Sequence, residues 1–206
     1  MATQSERSFL TQNRLVKATI DILVEQGYAA LGEQRICMRA GVSRGALRHH
    51  YPQGRYDLLP NVVESLLDDE ATRMASLGPL SAKERLYLML YGLMAMPHRQ
   101  VSVAILEIWM AARGDAKLAR CTKSIFDDVL TRLFGHAPGQ PADAEELALR
   151  CLLHGATLHR FSSDYNSETL QQSVRWMLDR LDPPPKVDEL LAAWLESAVK
   201  AEPALA

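Results

Sequence analysis

The chain has 206 residues, of which 48% are hydrophobic and 23% charged, which excludes a disordered or fibrous protein and indicates one or two compact domains. The formal net charge of −2 gives no indication of a nucleic-acid partner by itself. The charges are unevenly distributed, however. Residues 1–60 contain eight Lys or Arg against five Asp or Glu, whereas residues 61–206 contain fifteen against twenty. The basic excess is therefore local and N-terminal, as phosphate binding requires.

The cysteines and the apolar stretches exclude other classes of protein. Cys37, Cys121 and Cys151 lie far apart in the sequence, which excludes a zinc-type or redox pair, and we expect them to be buried in helices. Their odd number is typical of a reducing compartment. The first fourteen residues lack the apolar core of a signal peptide, and the longest apolar stretch, 86–97, is too short to span a bilayer, which takes about 20 residues. We therefore expect a cytoplasmic protein that does not insert into a membrane.

Helical periodicity dominates the chain, and no segment has the alternation of a strand, so the predicted fold is all-α. A frayed polar arm is expected over residues 1–10. Helices are predicted at about 12–26, 33–40, 44–51, 55–76, 82–96, 99–113, 115–134, 142–164, 167–181 and 187–200. Pro60 is unfavourable beyond a first turn, so the fourth helix is expected either to begin late or to be kinked.

The stretch 34–55 carries the strongest indication of function. It contains five arginines and no acidic residue. At its centre, Gly41 suits the left-handed position after a helix end, and Ser43 is a favoured N-cap. Two short helices joined by such a turn form a helix-turn-helix, whose second helix can enter the DNA major groove. The alternative is a pair of core helices with a solvated basic face, but such a face would usually carry charges of both signs.

The region from Arg14 to about Leu67 resembles the tetracycline-repressor-like family of bacterial transcriptional regulators. The matching residues are Leu15, Ala18, Gly27, Tyr28, Ile36, Ala40, Gly41, Val42, Ser43, Gly45, Leu47, His50, Tyr51, Leu58 and Leu59. The resemblance implies a helix-turn-helix domain over residues 10–56, a connecting helix at about 55–76, and a helical ligand-binding and dimerisation domain over 80–206. It also implies a homodimer on a palindromic operator in double-stranded DNA, paired through the helices at about 142–164 and 167–181.

The expected DNA-binding residues lie on or beside the second and third helices: Gln34, Arg35, Ser43, Arg44, Gly45, Arg48, His49, Tyr51 and Arg55. Arg44 is expected to reach a base edge, while Arg35, Tyr51 and Arg55 are expected to contact the DNA backbone. The sequence departs from the family pattern at three places. Arg48 replaces a tyrosine, Gln53-Gly54-Arg55 replaces a serine-lysine pair, and Gly32 replaces a threonine cap.

The expected effector site is mainly hydrophobic, and we predict that a small hydrophobic or aromatic molecule releases a repressor from its operator. Its candidate residues are Met89, Leu90, Leu93, Met94, Leu106, Trp109, Met110 and Phe126, with Glu107 and Arg113 as the nearest ionisable groups. Trp109 is expected to line the cavity, or alternatively to fill a closed core. No cofactor or metal site is predicted.

Two other functions remain open from the sequence. A DNA-binding protein without an effector is possible, since helical spacing of Met and aromatic residues is more often ordinary core. A small enzyme would have to use Cys151, His154, His159 and Glu107, but histidines five residues apart on a helix point away from each other. There is also no phosphate-binding glycine loop and no nucleophile elbow.

Overall fold

A computed structural model describes residues 3–96, 101–136, 139, 141 and 143–201, although the side chains of 197–201 are not described. Ten α-helices, one 3₁₀ turn and no strand occur within these residues, so the all-α prediction is confirmed. The helices are α1 (Gln4–Gln26), α2 (Glu33–Ala40), α3 (Arg44–His50), α4 (Arg55–Ala75), α5 (Ala82–Ala95), α6 (Val101–Ala112), α7 (Ala116–Arg132), α8 (Ala144–His159), α9 (Ser167–Leu178) and α10 (Pro185–Ala201), and the 3₁₀ turn is Tyr28–Ala30. The predicted helix starts at 99 and 142 lie outside the described residues.

Three boundary predictions are wrong. Helix α9 ends at Leu178 rather than at 181, and the other two errors occur at polar residues with local hydrogen bonds. The expected arm is helical from Gln4, because the Thr3 hydroxyl accepts from the Glu6 amide while the Glu6 carboxylate accepts from the Thr3 amide. Helix α8 ends at His159 rather than at 164. There the Ser162 hydroxyl donates to Asp164, a short-range bond that favours turns over helix.

Helix α4 runs from Arg55 to Ala75 with Pro60 inside it, so of the two alternatives the late start is excluded and the kink stays a prediction. Among the described residues, none of the helices is long and apolar enough to cross a membrane.

The chain divides into two compact units. The first unit comprises Met1–Leu66 with Gln100–Asp127, and the second comprises Leu67–Arg99 with Asp128–Ala206. The expected domains, 10–56 and 80–206, are functional assignments that this division does not test.

In the first unit, α1 packs against α2, α3 and α6. The apolar stripe of α1 supplies the fully buried Leu15 and Ile22, α2 supplies Ile36 and α3 supplies Leu47. Each of the two short helices is thus held by one large apolar side chain, which leaves its opposite face free.

In the second unit, α5 packs against α8, α9 and α10. The core of this unit contains Tyr87 and Trp194, both fully buried. A Cβ atom at Gly92 would lie 3.0 Å from Nε1 of Trp194, so glycine lets the indole approach the α5 backbone. The Arg73 guanidinium lies over the same indole, 3.3 Å from the ring centroid, and it is hydrogen bonded to Glu70.

Candidate nucleic-acid interface

The turn between α2 and α3 has the geometry of a helix-turn-helix. Gly41 adopts φ +64° and ψ +37°, and the following amide of Val42 donates to the Cys37 carbonyl. Ser43 caps α3, since its Oγ accepts from the Ala46 amide at 3.1 Å. Both local predictions are confirmed, and the left-handed glycine fixes the direction in which α3 leaves the turn.

Helix α3 has one buried and one exposed face. Leu47 is fully buried, whereas Arg44, Gly45, Arg48 and His49 are exposed. The exposed residues occupy two adjacent rows with i, i+4 spacing, so they form one continuous surface. Ser43 and, on α2, Gln34 and Arg35 are also exposed.

Tyr51 does not share this surface. It is 5% exposed, and its hydroxyl donates to Oδ1 of Asn61 at 3.1 Å. Burial raises the pKa of its phenol.

The arginines of the 34–55 stretch differ in their partners. Arg39 is hydrogen bonded through both terminal nitrogens to Glu25, and this bond lowers the pKa of the Glu25 carboxyl. Arg35 Nη1 donates to the Ala30 carbonyl at 2.6 Å. Arg44 forms no ion pair with any residue that the structure describes. It is thus the cation of the stretch most available to an external partner.

Arg48 is held by two groups of its own chain. Its Nε and Nη2 donate to the two carboxylate oxygens of Glu33 at 3.1 and 2.6 Å, and its Nη1 donates to the Pro52 carbonyl at 2.6 Å. This forked arrangement is the strong form of an arginine–carboxylate pair. Glu33 is the first residue of α2, where the helix dipole favours a negative charge.

Arg55 lies in an aromatic cluster with Tyr28, Tyr56 and Asp115. Its guanidinium lies 5.3 and 5.0 Å from the two ring centroids and 3.4 Å from Oδ2 of Asp115, and both phenols donate to that same oxygen at 3.1 Å. Burial raises the pKa of Tyr28 to about 12. The other oxygen of Asp115 accepts from the Leu118 amide, which is the largest cause of the lowered pKa of Asp115.

Residues 15–61 match the model of bacterial regulatory proteins of the tetR family. The matched region contains α2, the turn, α3 and the beginning of α4. Over this region the similarity is to transcriptional regulators rather than to enzymes.

Relatives of known sequence agree with this assignment. The chain is 38% identical over 80 residues to the HTH-type transcriptional regulator CymR of Pseudomonas putida, a match that covers 37% of this chain and only 39% of CymR. It is 29% identical over 154 residues to an uncharacterised HTH-type transcriptional regulator of Mycobacterium bovis, which covers 70% of this chain and 76% of the relative.

Solved structures show the same fold. A TetR-family regulator from Rhodococcus sp. superposes with a TM-score of 0.57 at 20% identity, covering 84% of this chain and 98% of that chain. A TetR regulator from Haloarcula marismortui gives 0.54 at 23% identity, with coverages of 83% and 97%.

The residues expected to bind an effector are divided between the two units. In the second unit, Leu90 and Met94 are buried and Met89 and Leu93 are half-buried. Leu93 and Met94 line a narrow cleft with Leu170 and Val174, but its free space of about 10 Å³ is too small for an effector.

In the first unit, Leu106 is buried and Phe126 is half-buried, whereas Trp109 and Met110 are 49% and 39% exposed. The alternative in which Trp109 fills a core is therefore excluded. Glu107 on the same helix accepts from the Tyr28 amide at 2.9 Å. Its carboxylate thus ties α6 to the 3₁₀ turn.

The two apolar stripes expected at the dimer contact differ in exposure. On α8, Ala148, Cys151, Gly155 and Leu158 are exposed and Leu152 is half-buried. On α9, Met177 is exposed, Leu170 is half-buried and Val174 is in the core, while Leu181 lies beyond the end of the helix and is half-buried. The expectation that all three cysteines are buried is wrong, because only Cys37 is.

The sequence did not predict the acidic partners of Arg48 and Arg55 or the burial of Trp194. Glu33 and Asp115 were not identified as partners of Arg48 and Arg55, since neither belongs to a local motif. Trp194 lies in an amphipathic helix whose orientation the sequence leaves open. A grouping of three or more metal-ligating side chains does not occur in the part of the chain that the structure describes.

Proposed function

We propose that this protein is a tetR-family repressor that binds a palindromic operator as a homodimer and is released by a small, mainly hydrophobic molecule. The exposed first turn of α3, with Arg44 beside the unobstructed Gly45, is the observation that carries the proposal. Helix-turn-helix dimers read two half-sites one helical turn apart, roughly 34–36 Å.

Arg44 is the proposed base-reading residue. It is the first residue of α3, it is exposed, and its guanidinium has no carboxylate partner among the described residues. An arginine at this position can donate two hydrogen bonds to a guanine in the major groove. Gln34 and His49 are exposed on neighbouring parts of the same surface. Ser43 and Arg35, which are also exposed, are the proposed contacts to the DNA backbone.

Gly45 leaves the first turn of α3 bare. A Cβ atom there would contact only the Ser43 Oγ, at 3.7 Å, so the fold itself does not require a glycine. Glycine lowers helix stability relative to alanine. Its presence therefore favours a surface that something else approaches closely, which agrees with DNA at this end of α3.

The exposed face of α8 supports the dimer. Leu147, Cys151, Gly155 and Leu158 recur along one side of the helix, and a Cβ atom at Gly155 would meet nothing within 4 Å. On α9, Trp176 and Met177 are 58% and 41% exposed. Contiguous apolar exposure of this kind is typical of an interface with another chain, and a second copy is the partner proposed.

The effector is proposed on the apolar character of the candidate residues rather than on a formed cavity. The cleft beside Leu93 and Met94 must open to admit a ligand, and methionine suits a surface that repacks. A DNA-binding protein without an effector is the second candidate, favoured by that closed cleft. Operator release by added hydrophobic compounds separates the two.

The test begins with selection of duplexes from a random-sequence library by the wild-type protein. The selected sequence should be a near-palindrome. Arg44→Ala should then weaken binding to it by about 1–3 kcal/mol and relax the preference at one position of each half-site. Arg35→Ala, the matched control, should weaken selected and scrambled duplexes equally. An Arg44→Ala variant with unchanged affinity and preference would contradict the proposed docking of α3.

A further inference from the structure

The Glu33–Arg48 pair lies on the exposed side of the helix-turn-helix and has no evident role in the core. Side-chain exposure is 51% for Arg48 and 26% for Glu33. Exposed pairs usually contribute little to stability. This one is unusually well satisfied, because the guanidinium uses three nitrogens on Glu33 and the Pro52 carbonyl.

Gly54 provides the space for this pair. It is buried with φ +64°, and a Cβ atom there would lie 2.0 Å from Oε1 of Glu33 and 3.5 Å from Cζ of Arg48. Any side chain at residue 54 would displace the carboxylate. The loop between α3 and α4 therefore accommodates the ion pair specifically, beyond the need for a turn.

The neighbouring cations are held in the same way. Glu33 and Arg48 line an open cleft of about 600 Å³ together with Arg55, Tyr56 and Lys117. Arg55 is bonded to Asp115, and the Lys117 ammonium lies 4.3 Å from the Tyr56 ring centroid. The cations beside the proposed DNA surface are thus engaged by groups of the chain itself.

We propose that Glu33 is a specificity-determining residue that holds Arg48 away from the DNA phosphates and so limits sequence-independent binding. The inference rests on the proposed function of α3. Binding to non-specific DNA comes almost entirely from cation–phosphate contacts, whereas phosphate contacts carry no sequence information directly. In a non-specific complex the protein can change its position on the DNA so that every free cation contacts a phosphate. Restraining one arginine therefore weakens the non-specific complex more than the operator complex. The operator complex retains the base contacts of Arg44.

The experiment measures binding of a scrambled duplex over a series of salt concentrations. Glu33→Gln keeps the size of the side chain and removes its charge, which frees Arg48. The variant should bind scrambled DNA several-fold more tightly, and the plot of log K against log salt should steepen by about 0.9 for each protomer. The ratio of operator to scrambled affinity should fall.

Arg48→Gln is the second variant. The proposal replaces the expectation that Arg48 binds DNA, because its guanidinium is bonded to Glu33 and Pro52. The variant should therefore leave both the salt slope and the base preference unchanged. The double variant, Glu33→Gln with Arg48→Gln, should return the slope of Glu33→Gln to the wild-type value.

Two results would overturn the inference. A slope flattened by about 0.9 for each protomer in Arg48→Gln would show that Arg48 already contacts a phosphate, whether or not Glu33→Gln folds. Unchanged binding by a folded Glu33→Gln variant would show that the pair is only structural. Neither result affects the proposed function. That proposal fails separately if the wild-type protein selects no sequence, or if Arg44→Ala changes neither the affinity nor the base preference.

Discussion

Gly45→Ala should make the protein more stable and its operator binding weaker. In the free protein the added methyl group fits, because its nearest neighbour is the Ser43 Oγ at an ordinary contact distance of 3.7 Å. Alanine is favoured over glycine within a helix by about 0.5–1 kcal/mol, so the melting temperature should rise. In the complex, the methyl group occupies space that we assign to DNA. Overpacking of a close contact costs about 1–3 kcal/mol, which corresponds to a loss of roughly fivefold to hundredfold in affinity.

Gly41→Ala is the matched control. Its Cβ atom would also meet nothing within 4 Å, but its φ of +64° is unfavourable for alanine by about 1–2 kcal/mol. This variant should melt earlier while the folded fraction still binds the operator. Thermal melting monitored by circular dichroism and titration of a labelled operator measure both quantities. A Gly45→Ala variant with higher stability and unchanged affinity would show that the first turn of α3 does not lie against DNA.

Three further predictions concern Tyr28, Gly155 and Trp194. Burial raises the pKa of Tyr28 to about 12, above the ordinary tyrosine pKa of about 10. The neutral phenol therefore stabilises the folded state below about pH 10, and this stabilisation is lost as the pH rises towards 12. Tyr28→Phe should reduce the alkaline loss of stability measured in unfolding titrations. Gly155→Glu should yield a folded monomer in sedimentation, whereas Gly155→Ala should stay dimeric; a dimeric Gly155→Glu would remove α8 from the interface. Trp194→Ala should cost about 3–5 kcal/mol of stability and the half-exposed Trp109→Ala much less, and equal losses would contradict the assigned burial.

The helices and the turn were predictable because their determinants are local. Apolar residues at helical spacing, a glycine after α2 and a serine before α3 act within a few residues of one another. The first turn of α1 was missed although Thr3 and Glu6 have the spacing of a capping box, because the surrounding residues are polar and suggested a frayed end. The orientation of Trp194, in contrast, depends on the packing of α10 against α5 and could not be obtained from periodicity alone.

The positive charge that residues 34–55 present to DNA also depends on packing, so the sequence predicts it only in part. Counted along the sequence, it contains five arginines and no acid. In the fold, acids fourteen, fifteen and sixty residues away reach Arg39, Arg48 and Arg55. Ion pairs form between elements that pack together, so a window of sequence overestimates the positive charge that a surface presents.

The internal ion pairs of these arginines should reduce the salt dependence of operator binding. If all five arginines contacted phosphates, the stretch would contribute about −4.5 for each protomer to the slope of log K against log salt. With Arg39, Arg48 and Arg55 engaged internally, only Arg35 and Arg44 remain, and their contribution is at most about −1.8. Replacing Arg39 by Gln should therefore leave the slope unchanged, whereas Arg35→Gln should flatten it. An equal flattening in both variants would show that the internal ion pairs open when the protein meets DNA.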